Sequence, residues 1–274
     1  MLYSHTVIPS SSVESHRSSP IPVFLHGFLG SSQDWSATLE YLNCSAAICL
    51  DLPCHGVSKY CEVDDFAQAC QQVQTTVLEA LQKSGLPTST PLVLVGYSLG
   101  ARIAMYGLAQ AGFTELNVQG AILEGGNVGL ATEEEKVLRW ENDKHWSKRF
   151  ATEAMDEVLF DWYQQGVFAS LTPTQREHLI ELRSDNLGAQ LACVLRATSL
   201  AKQPHLLASL TSLTLPLLYV CGDKDTKFVA LAEQSGLQYR KVNHAGHNAH
   251  HEQPNEFATI VTEFIQQLSS TITK

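Results

Sequence analysis

The stretch LVLVGYSLGARIAMYG, residues 92–107, contains an abrupt change of pattern. An uninterrupted apolar run, Leu92 to Val95, meets Gly96-Tyr97-Ser98-Leu99-Gly100, and apolar residues then resume at helical spacing. A continuous run of this kind reads as a strand buried on both faces, and the 3.6-residue period as the helix after it. Between them G-x-S-x-G builds a sharp turn. Its glycines remove side chains where backbones crowd, and Ser98 projects at the end of the strand. Five residues alone would equally suit a glycine-rich turn with a capping serine, so the surrounding chain has to decide.

On either side, short apolar runs alternate with longer helical patterns. IPVFLHG (21–27), AAICLDL (46–52), VQGAILEGG (118–126), LPLLYVCGD (215–223) and LQYRKVN (237–243) read as strands. Residues 64–84 and 255–268 read as amphipathic helices, the second introduced by Pro254. This is a βαβ rhythm and predicts an α/β fold with a mainly parallel sheet flanked by helices. The rhythm breaks at about residue 130. From there to about 203 the chain is charged, aromatic and helix-like, as expected of an inserted helical cap. The expected division is a core in two parts, 1–127 and 205–274, with the cap at 128–204.

A chain of 274 residues with 44% hydrophobic content can bury a sizeable core. A net charge of −10 and the lack of a Lys/Arg stripe argue against nucleic acid or an anionic membrane as partner. The expected partner is a small molecule, and nothing in the sequence points to a protein partner. Seven cysteines with no C-x-x-C pair read as reduced thiols, which fits a cytoplasmic location. The opening MLYSHTVIPSSSVESHRSSP lacks the apolar centre of a signal peptide, and no run approaches the roughly 18 apolar residues of a membrane span.

A serine hydroxyl reacts at neutral pH only if a neighbouring base takes its proton and an acid orients that base. Asp225, in CGDKDTKF, and His247, in NHAGHNAHHEQP, each follow a strand pattern and give the chain order Ser, Asp, His. Asp223 competes with Asp225, and His244, His250 and His251 compete with His247. The histidine cluster matches no usual zinc spacing and lacks a cysteine partner, so no metal is expected. HGFLG, residues 26–30, follows the first core strand. The backbone amides of Phe28 and Leu99 are the candidate donors of an oxyanion hole. Arg102 lies one helical turn beyond Ser98, within reach of an anion bound at the elbow, unless it forms a structural salt bridge instead.

Together, HGF, DLPCHG (51–56), GYSLG, GDKD and AGH resemble the α/β-hydrolase superfamily. GYSLGARIAM, ILEGGNVGL, DWYQQGVFASL, LRSDNLGAQLACVLRATSLAKQP, CGDKDTKF and AGHNAHHEQP look like the SHCHC synthase family of menaquinone biosynthesis across nearly the whole chain. That resemblance implies a lyase without cofactor or metal. It would release pyruvate from 2-succinyl-5-enolpyruvyl-6-hydroxy-3-cyclohexene-1-carboxylate to give 2-succinyl-6-hydroxy-2,4-cyclohexadiene-1-carboxylate (SHCHC). It carries a triad onto Ser98, Asp225 and His247, and contacts to an anionic substrate onto Tyr97, Arg102, Arg139, Trp162, Phe168 and Arg183. Apart from the resemblance, Arg139 and Arg183 read as solvated cap arginines, and Trp162 and Phe168 as cap core. Two positions depart from the family pattern: Cys54 and Ala101 stand where glycine is usual. A triad alone also suits a carboxylesterase, thioesterase or C–C hydrolase with Ser98 as covalent nucleophile, or a binding protein on a hydrolase core.

Overall fold

The computed structural model describes residues 1–7 and 19–272. Its seven strands are β1 (Ser4–Val7), β2 (Ile21–Leu25), β3 (Ala47–Leu50), β4 (Leu92–Tyr97), β5 (Val118–Glu124), β6 (Leu217–Gly222) and β7 (Gln238–Val242). They form one sheet in the order β1-β3-β2-β4-β5-β6-β7, parallel except for β1, which runs antiparallel to β3. β1 has no counterpart among the expected strands. Its sequence, SHTV, is too short and polar for an apolar period, and pairing with β3 from Ser4↔Leu50 to Val7↔Ala47 defines it.

Helices α1 (Ser36–Tyr41), α2 (Phe66–Lys83) and α3 (Leu99–Ala109) lie among the first five strands. Between β5 and β6 come α4 (Glu133–Thr152), α5 (Met155–Trp162), α6 (Pro173–Arg183), α7 (Gly188–Ala197) and α8 (Leu207–Ser212). α9 (Thr226–Ser235) links β6 to β7, and α10 (Ala249–Glu252) and α11 (Pro254–Ile272) close the order. α2 starts at Asp65, whose carboxylate accepts the Gln68 N–H at 2.8 Å and satisfies an otherwise orphaned helix donor.

The continuous apolar strands divide their side chains between two cores. Val23, Leu25, Leu92 and Leu94 pack with Val73 and Val77 of α2 and with Ile103 and Met105 of α3. Phe24, Val93 and Val95 pack on the other face with Phe257, Val261 and Phe264 of α11. This two-sided burial explains why these strands carry no polar alternation.

The helices between β5 and β6 hold a third apolar cluster. It includes Trp146, Phe150, Val158, Leu159, Tyr163, Phe168 and Leu191, and Leu29 from the turn after β2 joins it. α4 begins at a capping box of Thr132 and Glu135, with Glu133, Glu134 and Glu135 in the first turn, where acidic groups favour the helix dipole.

Candidate active site

Ser98 has φ 48° and ψ −102°, a conformation that L-residues rarely adopt and that persists only where surrounding contacts impose it. Those contacts are visible. The Ser98 N–H donates to the Glu124 carbonyl at 2.8 Å, pinning the turn to β5. A Cβ on Gly100 would fall on the carbonyl of Leu25, so only glycine lets α3 start this close to β2.

His247 stands between Ser98 and Asp225. Its Nδ1 lies 2.7 Å from Asp225 Oδ2 and its Nε2 lies 3.3 Å from Ser98 Oγ. Asp225, buried at the start of α9, also caps that helix by accepting the Phe228 N–H. The competing residues have other partners. Asp223 accepts from Ala245 N at 3.2 Å. His250 is bound to Glu124 at 2.9 Å, His251 lies 3.9 Å from Asp34, and His244 takes a left-handed turn with φ 60°. Gly125, with φ 57°, lets the end of β5 pass the imidazole, since a Cβ there would sit 2.8 Å from His247 Cε1.

The two amides expected to form an oxyanion hole, Phe28 N and Leu99 N, donate to no group among the described residues. Two buried histidines hold the turn that carries Phe28. His26 Nε2 accepts from Leu52 N at 2.8 Å, and His55 Nε2 accepts from Leu29 N at 3.1 Å. In each ring Nδ1 faces a carbonyl, of Gly27 and Pro53 respectively, which assigns the proton to Nδ1. Burial holds both imidazoles below their ordinary pKa, His55 at about 3. HGF and DLPCHG are thus one hydrogen-bonded bracket, a pairing that spacing in sequence does not disclose. Cys54, in that bracket, adopts φ 65°, the left-handed region that favours glycine. Ala101 is fully buried, and its methyl group occupies the space where a Cβ on Gly126 would fall.

A cavity of about 690 Å³ opens above Ser98 and His247. Tyr97, Arg102, Arg139, Trp162 and Phe168 all line it, with Phe28. Trp162 packs on Phe28 and Trp146, with centroids 5.1 and 5.0 Å away. The Tyr97 ring faces the cavity wall, but its hydroxyl donates to Asn248 Oδ1 at 2.5 Å, so it tethers the histidine loop.

Arg102 forms no salt bridge among the described residues. Its guanidinium donates to Gln203 Oε1 at 2.7 Å and to the Thr198 carbonyl at 2.6 Å, and lies over the Phe66 ring. Burial, with Arg139 nearby, lowers its pKa to about 9. Asp143 acts on it only at a distance and is itself bound by Arg139, so this cation, hydrogen-bonded to neutral groups, is short of an anion. Arg139 is bound through Nε to Asp143 at 2.8 Å and also faces the cavity. Lys224 and Lys227 add two further cations to the wall that sequence reasoning did not single out, although both lie within GDKDTKF.

Arg183 is placed differently from either expectation. It is neither a solvated cap residue nor a cavity-lining one. Its side chain is 7% exposed and pairs bidentately with Asp34, at 2.6 and 2.8 Å. The guanidinium holds the Asp34 carboxyl well below the usual range despite its burial. Among the described residues this is a bridge from the end of α6 to the segment after β2.

Comparison with known proteins shows the family and the fold. The pattern of the Alpha/beta hydrolase family matches residues 23–260. A 2-succinyl-6-hydroxy-2,4-cyclohexadiene-1-carboxylate synthase from Yersinia pseudotuberculosis serotype O:1b (strain IP 31758) is 43% identical over 261 residues, covering 95% of this chain and 92% of that protein. A protein of the same name from Yersinia pestis (strain Pestoides F) matches to the same extent. Among solved structures, MenH from S. aureus superposes with a TM-score of 0.83 at 25% identity, over 98% of this chain and 99% of that one. A thermophilic esterase from Thermogutta terrifontis, at 19% identity and TM-score 0.74 over 98% and 94% of the two chains, shares the fold. The chain belongs to the alpha/beta hydrolase family and, within it, to the 2-succinyl-6-hydroxy-2,4-cyclohexadiene-1-carboxylate synthases.

Proposed function

We propose that this chain is a carbon–oxygen lyase that forms SHCHC and pyruvate from 2-succinyl-5-enolpyruvyl-6-hydroxy-3-cyclohexene-1-carboxylate, in menaquinone biosynthesis. The observation that carries the reading is the pairing of a Ser98–His247–Asp225 chain with Arg102, a cation held by neutral groups on the same cavity wall. A neutral ester has little use for such a cation. A substrate with three carboxylates supplies the missing anion, and guanidinium matches carboxylate in two parallel hydrogen bonds.

In this reading Asp225 holds the imidazole of His247, and His247 takes the Ser98 proton. The Ser98 oxygen removes the ring proton next to the succinyl ketone. The amides of Phe28 and Leu99 hold the enolate oxygen that results. The electron pair then moves through the ring double bond and breaks the bond to the enolpyruvyl oxygen. The diene forms, and the enolate that leaves takes a proton on carbon to become pyruvate. Arg102 and Arg139 hold carboxylates throughout, and Trp162 and Phe168 pack against the ring. No step calls for a cofactor or metal. Residues 128–204 act as the cap, core segments 1–127 and 205–274 supply the triad, and the substrate lies between them.

No helix among the described residues is long and apolar enough to cross a membrane, and the seven cysteines are unpaired. Both support work in the cytoplasm on a small molecule. The same triad would also serve acyl transfer with Ser98 as nucleophile, and the two chemistries differ in an observable mass. The test is rapid quench of enzyme with the enolpyruvyl substrate, followed by mass measurement of the intact protein and its peptides. Pyruvate and diene are expected to appear together with no adduct on Ser98. A kinetically competent Ser98 adduct overturns the base mechanism and returns the protein to esterase, thioesterase or C–C hydrolase chemistry.

A further inference from the structure

One buried acid plays no part in that chemistry. Glu124 ends β5 beside Tyr97 of β4, and its side chain is fully buried. Its main-chain carbonyl accepts the Ser98 N–H at 2.8 Å, which fixes the elbow. Its carboxyl group reaches the histidine loop. Oε1 accepts the main-chain N–H of His250 at 3.1 Å, and His250 Nδ1 lies 2.9 Å from the same oxygen. The His250 ring is wedged between Trp35 and Tyr97, with centroids 4.4 and 4.6 Å away, so it cannot swing. Three residues before it, just ahead of α10, stands His247.

As a source of stability this arrangement is poor. Burial pushes the Glu124 carboxyl up to about 8 and the His250 imidazole down to about 3. His250 Nε2 has no hydrogen-bond partner among the described residues. Buried polar atoms left unpaired cost free energy that an apolar pair of the same shape would avoid. What the pair does supply is geometry: a single residue grips the serine through its backbone and the histidine loop through its side chain.

We propose that Glu124 is a positioning residue that fixes the separation of Ser98 Oγ and His247 Nε2, through its carbonyl on Ser98 and its carboxyl group on His250. The inference rests on Ser98 and His247 being the working couple, and its test must separate the two ideas. A fluorophosphonate probe does so, because its phosphorus captures an activated serine oxygen with loss of fluoride and needs no natural substrate.

Glu124→Ala, checked for folding by circular dichroism and melting, is expected to slow labelling of Ser98 by about 100-fold, the scale of a reacting pair displaced by about an ångström. Its kcat should fall comparably, with KM within about threefold of wild type, since substrate contacts are untouched. Glu124→Gln keeps an acceptor for both donors and should stay within about tenfold of wild type, a rescue expected of position but not of charge. If Glu124→Ala does not fold, His250→Phe fills the space between Trp35 and Tyr97 without the Nδ1 donor and should slow labelling by about tenfold. Wild-type labelling in folded Glu124→Ala or His250→Phe overturns the inference alone, as does Glu124→Gln as slow as Glu124→Ala. Failure to label the wild-type protein overturns the reading of Ser98, and the inference falls with it.

Discussion

Replacing Arg102 by methionine separates a structural arginine from a substrate-binding one. Methionine keeps the length and apolar stem and removes the charge. Two structural effects oppose each other. The change deletes donors to Gln203 Oε1 and the Thr198 carbonyl, worth about 1–3 kcal/mol each when the donor is charged. It also relieves the burial of a cation whose pKa has fallen to about 9 from 12.5, an upper bound of about 4–5 kcal/mol for a partly exposed group. The expected net change in stability is therefore within about 2 kcal/mol of zero. Kinetics have no such compensation. Loss of a carboxylate partner in a desolvated site should lower kcat/KM by about 2–5 kcal/mol, or about 30- to 4000-fold. The assay pairs steady-state release of pyruvate with urea unfolding of the same preparation. Kinetics within about threefold of wild type, together with a loss of about 3–5 kcal/mol in stability, would be the signature of a broken structural ion pair. That outcome would refute the argument from Arg102.

Ser98→Ala and His247→Ala should each cost about 10³-fold or more in turnover, with the double variant little worse than either, because a triad acts as a unit. A near-normal rate in either single variant, with the melt unchanged, would remove that residue from the mechanism. The buried histidines predict a pH dependence of stability. His26, His55 and His250 have folded pKa values below the unfolded 6.5, so above that pH they contribute no difference, and as pH falls below it the unfolded chain gains protons that the fold refuses. Urea titrations between pH 6 and 4.5 should show His55 and His250 each lowering stability by about 1.4 kcal/mol per pH unit, with Glu124, kept protonated in the fold by burial, offsetting one such share. His55→Gln should flatten that slope by one imidazole's share, and an unchanged slope would sink the assignment of His55 as neutral.

The parts of this molecule legible in the sequence are those written in local period and order. The run before Ser98, the glycines of the elbow and the succession Ser98, Asp225, His247 needed only neighbours and spacing. α2 and α11 differ from expectation only at their ends, where Asp65 and Pro254 set the boundary. What stayed hidden is partner choice across long separations. His26 and His55 bracket the turn that carries Phe28 by accepting from main-chain N–H groups 26 positions away, and Glu124 finds His250 across 126. A buried histidine in a loop has the same letter whether it carries protons, binds an acid or props up a turn. Among His244, His247, His250 and His251, only the fold distributes the roles.

Arg183 shows how far this reaches into function. A resemblance of sequence assigns it to the substrate, and the usual exposure of arginine would leave it in solvent, yet it is locked to Asp34, 149 positions earlier. For Arg183 to meet a substrate carboxylate in this arrangement it would have to abandon a buried aspartate, at a cost of about 3–5 kcal/mol. A single charge-assisted contact returns about 1.5–3 kcal/mol, which is less. Arg102 surrenders no anion when a carboxylate arrives, because its partners are neutral. The anion is therefore expected on the wall of Arg102 and Arg139, while Arg183 fastens α6 to the segment that follows the oxyanion turn.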